Sequence, residues 1–322
     1  MVATPDPITQ QFLNILASAP GPALHEMPVA DARAMAAGMS SFFPDTVEIP
    51  PADVEKRVIP GPNGDLTIYI VRPKNTTGPL PAVMYFHGGG WVVCEFSTHK
   101  RLVHEIAVGT GAAVVFPEYS LSPEARFPTA NEEAYFATEY VTENGSALNI
   151  DSSRIAVAGD SAGGNMAAVV SMMARDRGGP GLSGVVLFFP VTNAAFDTAS
   201  YQEFADGYFL TTDAMKWFWN QYLSDAAARG NRLVSPLLAN IDQLRGLPPA
   251  FVMTCECDVL RDEGEAFGRR LIEAGVSVTS TRYLGAIHGC VTLGPLAATP
   301  AVRSAIAAAN AHLRAALNAK LK

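Results

Sequence analysis

The sequence predicts an α/β protein: an eight-stranded, mostly parallel sheet flanked by helices, with a helical cap over one end. Three observations predict it. Short runs that are apolar throughout, not alternating, recur along the chain, as parallel strands covered on both faces require. Helical stretches separate these runs, the alternation that builds a parallel sheet between helices. Two glycine-flanked segments, His87-Gly88-Gly89-Gly90-Trp91 and Gly159-Asp160-Ser161-Ala162-Gly163-Gly164, each directly follow an apolar run. Their loops therefore fall at the C-terminal ends of strands, where open α/β sheets carry their chemistry.

Taken in order, residues 1–45 give helical signals over Ile8 to Ala17 and Val29 to Phe43, broken by Pro20-Gly21-Pro22. A first pair of strands spans about residues 53–59 and 65–72, turned by Gly61-Pro62-Asn63-Gly64-Asp65. Parallel strands follow near residues 82–87, 112–117, 154–159, 184–190, 250–256 and 277–284. The run Ile155-Ala156-Val157-Ala158 enters the second glycine segment, and Asn165 to Met173 has the apolar character of a buried helix. Residues 196–225, with Phe209-Leu210 and the aromatic stretch Met215 to Tyr222, stand outside the alternation; with residues 1–45 they are expected to form one helical cap covering Ser161. An Ala-rich amphipathic helix over Ala301 to Leu317 closes the chain.

The second glycine segment fits G-x-S-x-G, a strand-to-helix turn that pushes a serine hydroxyl out of the top of a sheet. The helix starting behind Ser161 aims its positive dipole end at the same place. The first segment fits a glycine loop that offers backbone N–H groups to an oxyanion. A serine hydroxyl is a poor nucleophile until a base takes its proton, and an acid must hold that base in the right tautomer. With this turn the chain order is Ser, then Asp or Glu, then His. Two histidines follow Ser161: His288, in the loop after an alternating strand, and His312, inside the final helix. Position favours His288. His25, His99 and His104 precede the nucleophile and have no strand end to present them, and His87 suits a hydrogen-bonding role within its loop. For the acid, Asp258 lies just past the strand Ala250 to Cys255, whereas Asp262 and Glu263 suit the first turn of the next helix.

These segments, with Glu118-Tyr119-Ser120-Leu121-Ser122-Pro123-Glu124, Asp258-Val259-Leu260-Arg261-Asp262 and His288-Gly289, resemble the hormone-sensitive-lipase branch of the α/β-hydrolases, the bacterial esterase group whose elbow reads G-D-S-A-G. The resemblance runs from about residue 50 to the end. It implies a carboxylic-ester hydrolase with the triad Ser161, Asp258 and His288. It also implies an oxyanion hole from the N–H groups of Gly88, Gly89 and Ala162, a helical cap, and short to medium acyl chains. Residues 46–322 would then be the catalytic domain, with residues 1–45 and 196–225 giving the cap. The chain departs from the pattern in three segments: Val259 replaces a proline after the acid, Glu118-Tyr119-Ser120 replaces Asp-Tyr-Arg, and Cys290 replaces a phenylalanine after the base. Cys290 either widens the pocket beside His288 or packs away from it. Trp91, beside the glycine loop, and Phe209 are expected to line the substrate pocket, while Trp217, Phe218 and Trp219 suit cap-to-core packing.

Composition fits this picture. The 322 residues suit one large α/β domain with a small appendage, and 48% hydrophobic residues are enough for a sizeable core. A net charge of -8 argues against nucleic acid or an anionic membrane as partner. No charged and apolar leader and no run of membrane-spanning length is seen, so a cytoplasmic protein is expected. Cys94, Cys255, Cys257 and Cys290 have no zinc-binding spacing, and no metal or organic cofactor is expected. A small ester is the expected partner, with a homodimer through the C-terminal sheet edge as a further option. The motifs define acyl transfer and not the leaving group, which leaves an amidase or lactonase open. A ligand-binding module on the same fold is the alternative of another class.

Overall fold

The computed structural model describes residues 3–19 and 21–319. Over these, the expected strands join in a single eight-stranded sheet. In chain order the main elements are helices α1 (Pro7–Ser18) and α2 (Val29–Phe42), then strands β1 (Ala52–Gly61), β2 (Gly64–Pro73) and β3 (Leu80–Phe86). Helix α3 (Phe96–Thr110), strand β4 (Ala113–Pro117), helix α4 (Thr129–Glu143), strand β5 (Ile150–Asp160) and helix α5 (Ala162–Asp176) follow. After strand β6 (Leu182–Phe188) come helices α6 (Ala199–Glu203) and α7 (Thr212–Tyr222), strand β7 (Ala250–Cys257), helix α8 (Arg261–Glu273), strand β8 (Val278–Ile287) and helix α9 (Pro300–Asn318).

The sheet order is β1-β2-β4-β3-β5-β6-β7-β8. Strand β2 pairs antiparallel with both β1 and β4, and every other pairing is parallel. The apolar runs explain the arrangement. From Ala82 to Phe86 in β3 and from Ile155 to Ala158 in β5 every side chain is buried, as central strands under helices on both faces must be. Edge strand β1 is largely exposed or half-buried, and it is held by a continuous register from Ala52 opposite Pro73 to Gly61 opposite Gly64. Helix α5 is buried from Ala162 through Ala174, which is why its sequence is apolar on every side.

Helices α1 and α2 fall where the sequence places them, and Pro20 of the expected break lies outside the described residues. Asp6 caps α1, its carboxylate accepting the Ile8 N–H at 3.0 Å, with Pro7 in the first turn. Helix α1 rests on β8, and α7 rests on the short turn Leu24–Glu26 that joins α1 to α2. The Phe12 ring of α1 lies 5.3 Å from Phe43, edge to face, and 6.1 Å from Phe209. The two segments outside the alternation thus meet each other as well as the sheet. Among the described residues, no helix is long and apolar enough to cross a membrane.

Candidate active site

Four strands end on residues singled out by their sequence positions. His87 follows β3, Ser161 follows β5, Asp258 follows β7 and His288 follows β8. Ser161 sits at φ 56° and ψ -119°, the left-handed side that L-residues avoid. Such a conformation persists only where its surroundings over-determine it. Here the Ser161 N–H donates to the Phe188 carbonyl (2.9 Å), and its own carbonyl accepts from Asn165 (3.0 Å) and Val191 (3.1 Å). The flanking glycines are steric necessities. A Cβ on Gly159 would strike the Gly163 carbonyl, and one on Gly163 would strike the Phe86 carbonyl.

The turn brings Ser161 Oγ to 2.9 Å from His288 Nε2, and His288 Nδ1 to 2.9 Å from Asp258 Oδ2. An ionised carboxylate only accepts, so the Nδ1–H donates to Asp258 and Nε2 is left to accept the serine proton. Asp258 Oδ1 is itself fixed by the Leu260 N–H at 3.0 Å. The Phe189 ring lies 4.7 Å from the His288 ring and walls it from the β6 side. All three polar side chains are buried.

The glycine loop corrects one expectation. The Gly88 N–H donates to Asp160 Oδ1 at 3.1 Å, so it is already engaged and is not free for an oxyanion. Gly88 is a glycine for a different reason: a Cβ there would run into the Asp160 carboxylate. The N–H groups of Gly89, Gly90 and Ala162 have no acceptor among the described residues. Gly89 and Gly90 have φ of 103° and 60°, and added Cβ atoms would strike the Val93 carbonyl and the Phe218 ring, respectively. Ala162 opens α5, where the first N–H groups have no partner within the helix. The free donors are therefore Gly89, Gly90 and Ala162 rather than Gly88, Gly89 and Ala162.

Trp91 is a second correction. Its ring is wholly buried, stacked on Tyr222 at 4.0 Å and tilted against Trp219 at 4.9 Å, so it joins α7 to the core and does not wall an open pocket. Its φ of 62° turns the side chain that way. Phe209 is 39% exposed and lies beside Gly289, next to His288, where it can meet a bound molecule. Phe218 and Trp219 are buried as expected, with Trp217 half-buried. Cys290 is buried with Sγ 3.6 Å from Cys255 Sγ, which places it in packing and not on a cleft wall. Ser120 is held by Glu133 through both its N–H (2.7 Å) and its hydroxyl (2.9 Å). A cavity of about 350 Å³ opens between α2 and the chain entering α3, lined by Arg33, Cys94 and Glu118 among others, and none of Ser161, Asp258 or His288 lines it.

The remaining histidines separate clearly. His312 on α9 reaches the Pro249 carbonyl at 3.2 Å, and His104 reaches Pro50 O at 2.9 Å. Burial and the neighbouring His99 push the His87 ring down to about 3, so it stays neutral, stacked on Tyr119. His99 has no strand end to present it, yet its Nε2 lies within 3.3 Å of Asp160. Nothing local in the sequence links two residues this far apart. Glu263 does more than open a helix. It is buried and accepts the N–H groups of Thr192 (2.6 Å) and Asn193 (3.0 Å) in the loop after β6. No three His, Cys, Asp or Glu side chains among the described residues come together as a metal site.

The model of a family described as having the alpha/beta hydrolase fold matches residues 83–292. The chain superposes on a thermostable esterase from Pseudomonas putida with a TM-score of 0.95 and 47% identity, covering 98% of each chain. It is 38% identical over 275 residues to a carboxylesterase of Mycobacterium tuberculosis, covering 84% of this chain and 85% of that one. An ethyl acetate hydrolase of Pseudomonas putida is 35% identical over 236 residues, 72% of this chain and 73% of its own.

Proposed function

The chain belongs to the α/β-hydrolase family, in its hormone-sensitive-lipase-like branch, and from that premise we propose that it hydrolyses short- to medium-chain carboxylic esters at Ser161 through an acyl-enzyme. The protein is a carboxylic-ester hydrolase. The observation that carries the mechanism is the unbroken array Ser161 Oγ–His288–Asp258, with both links at 2.9 Å, beside three unpartnered backbone N–H groups.

In this mechanism the Ser161 proton passes to His288 Nε2 as Oγ bonds to the ester carbonyl carbon. The carbonyl π pair moves onto oxygen, and the N–H groups of Gly89, Gly90 and Ala162 receive that charge. Asp258 holds the Nδ1–H and stabilises the imidazolium. The tetrahedral species collapses, the C–O bond to the alcohol breaks, and His288 returns its proton to the leaving oxygen. Water then repeats the cycle on the acyl group, with His288 again as base, and frees the acid and Ser161. Segments 1–45 and 196–225 act as the cap: Phe218 of α7 covers Gly90, and Phe209 borders His288. A relative named as an ethyl acetate hydrolase supports small acyl groups.

The test is turnover of p-nitrophenyl esters from acetyl to decanoyl, against the matching p-nitroanilides. Fast release from the short and medium esters, lost in Ser161→Ala, supports the proposal. Anilide turnover at a comparable rate would make the protein an amidase, and turnover that survives Ser161→Ala would remove Ser161 from the chemistry.

A further inference from the structure

Behind the glycine loop lies a buried polar group that proton transfer at Ser161 does not use. Asp160 is at its centre. Its Oδ1 takes the Tyr85 hydroxyl at 2.8 Å and the Gly88 N–H at 3.1 Å, and His99 Nε2 stands 3.2 Å from Oδ1 and 3.3 Å from Oδ2. The Tyr85 hydroxyl and the Gly88 N–H converge on Oδ1 and the His99 ring sits against both oxygens, a setting that favours the carboxylate form. Burial pushes the Asp160 carboxyl up, but the charge and hydrogen bond of His99 and the Tyr85 hydroxyl outweigh it and hold the group below its usual range.

The other nitrogen of His99 faces a hydroxyl. Nδ1 lies 2.8 Å from Thr98 Oγ1, whose single proton goes to the Glu95 carbonyl at 2.7 Å. The hydroxyl oxygen also receives the Glu95 N–H at 3.2 Å, so toward His99 it acts as an acceptor. With the Thr98 proton on the Glu95 carbonyl and Asp160 as the carboxylate, both ring nitrogens donate, and a ring with two N–H groups is the imidazolium.

We infer that Asp160 and His99 form a buried ion pair that positions the oxyanion donors, with His99 as a positioning residue for ester hydrolysis at Ser161. The inference rests on the function proposed above. Asp160 immediately precedes Ser161, and Gly88 immediately precedes Gly89 and Gly90. One carboxylate thus sets the spacing between the elbow that presents Ala162 and the loop that presents Gly89 and Gly90. A lone buried carboxylate here would oppose an oxyanion forming nearby, because charges interact strongly where water is excluded. The cation on His99 cancels that opposition. His87, with its ring 5.6 Å from His99, stays neutral and adds no further charge.

The experiment uses the full chain as wild type, His99→Leu and His99→Gln. The readouts are kcat and KM for p-nitrophenyl acetate, the dissociation constant of an alkyl boronic acid that becomes a tetrahedral anion on Ser161, and the ¹⁵N signals of His99 at neutral pH. In His99→Leu, kcat is expected to fall roughly tenfold to a hundredfold, less than the full effect of losing one oxyanion donor. KM should stay within about threefold, and the boronate should loosen in step with kcat. His99→Gln, which keeps a donor but no charge, should fall between the two. It decides the matter if the leucine variant does not fold. Wild-type kcat in the glutamine variant, a kcat loss without weaker boronate binding, or ¹⁵N signals of a neutral ring would each overturn the inference. A wild type that releases no p-nitrophenol would instead count against the ester-hydrolase proposal, and the ¹⁵N measurement would still stand.

Discussion

The protein contains two buried Asp–His pairs, and their difference lies in the third partner. In Asp258–His288 the far nitrogen faces the Ser161 hydroxyl, a group with a proton to give. In Asp160–His99 the far nitrogen faces Thr98 Oγ1, a hydroxyl that has the Glu95 carbonyl as an acceptor at 2.7 Å. The first ring is left with a lone pair and can act as a base. The second, in the inferred ion pair, has no lone pair to offer, and its carboxylate holds the Gly88 N–H and the Tyr85 hydroxyl. On the proposed function and the inference above, the same two side chains serve proton transfer in one place and alignment in another, set by a single hydrogen-bond partner.

Variants can break this comparison, and the largest effects belong to the first pair. Ser161→Ala and His288→Ala should each lower kcat by roughly a millionfold, about as much as removing the whole triad. If His288→Ala kept most of the activity while His312→Ala did not, the base would be misassigned. Changing each acid to its amide sharpens the contrast. Asp258→Asn should lower kcat about ten-thousandfold through the wrong tautomer, with little change in Tm. Asp160→Asn should instead cost about 3–5 kcal/mol of stability, because it leaves a buried cation without its partner. Equal Tm losses in the two variants would erase the distinction drawn here. Next in size is Gly89→Val, whose Cβ would strike the Val93 carbonyl; kcat should fall by about 10²–10³-fold, with KM nearly unchanged.

The smallest effect concerns Glu263, the buried carboxyl on α8. Burial pushes it up to about 8. In the unfolded chain it ionises near the ordinary carboxylate value, so between that value and about 8 the folded protein holds a proton that the unfolded chain has released. Stability therefore falls as pH rises through this window and levels off above it. Glu263→Gln keeps an oxygen for the Thr192 and Asn193 N–H groups and should remove the slope. Relative to wild type, its Tm should be close at about pH 5 and higher at about pH 8, with kcat little changed. A Tm difference independent of pH would show that Glu263 does not titrate in the folded state.

Much of this was legible in the sequence because its causes are local. Apolar runs mark central strands wherever both faces are covered, and Gly159 and Gly163 flag a turn too tight for a Cβ. The order Ser161, Asp258, His288 follows from which strands, β5, β7 and β8, end at the same edge of the parallel sheet. What is not local is where a side chain points and what it meets. Trp91 sits beside the glycine loop, but its positive φ swings the ring onto Tyr222. Gly88 looks like its two neighbours, and only the carboxylate of Asp160, brought alongside by the pairing of β3 with β5, separates it from them. His99 lacked a strand end because it acts from the first turn of α3, through a partner on another element.

The most direct test is a crystal structure after reaction with an alkyl p-nitrophenyl phosphonate. The account predicts phosphorus bonded to Ser161 Oγ, with its free oxygen about 3 Å from the N–H groups of Gly89, Gly90 and Ala162. The Gly88 N–H should remain on Asp160. Phosphorus on another residue, or its oxygen held by Gly88 with Asp160 released, would contradict it.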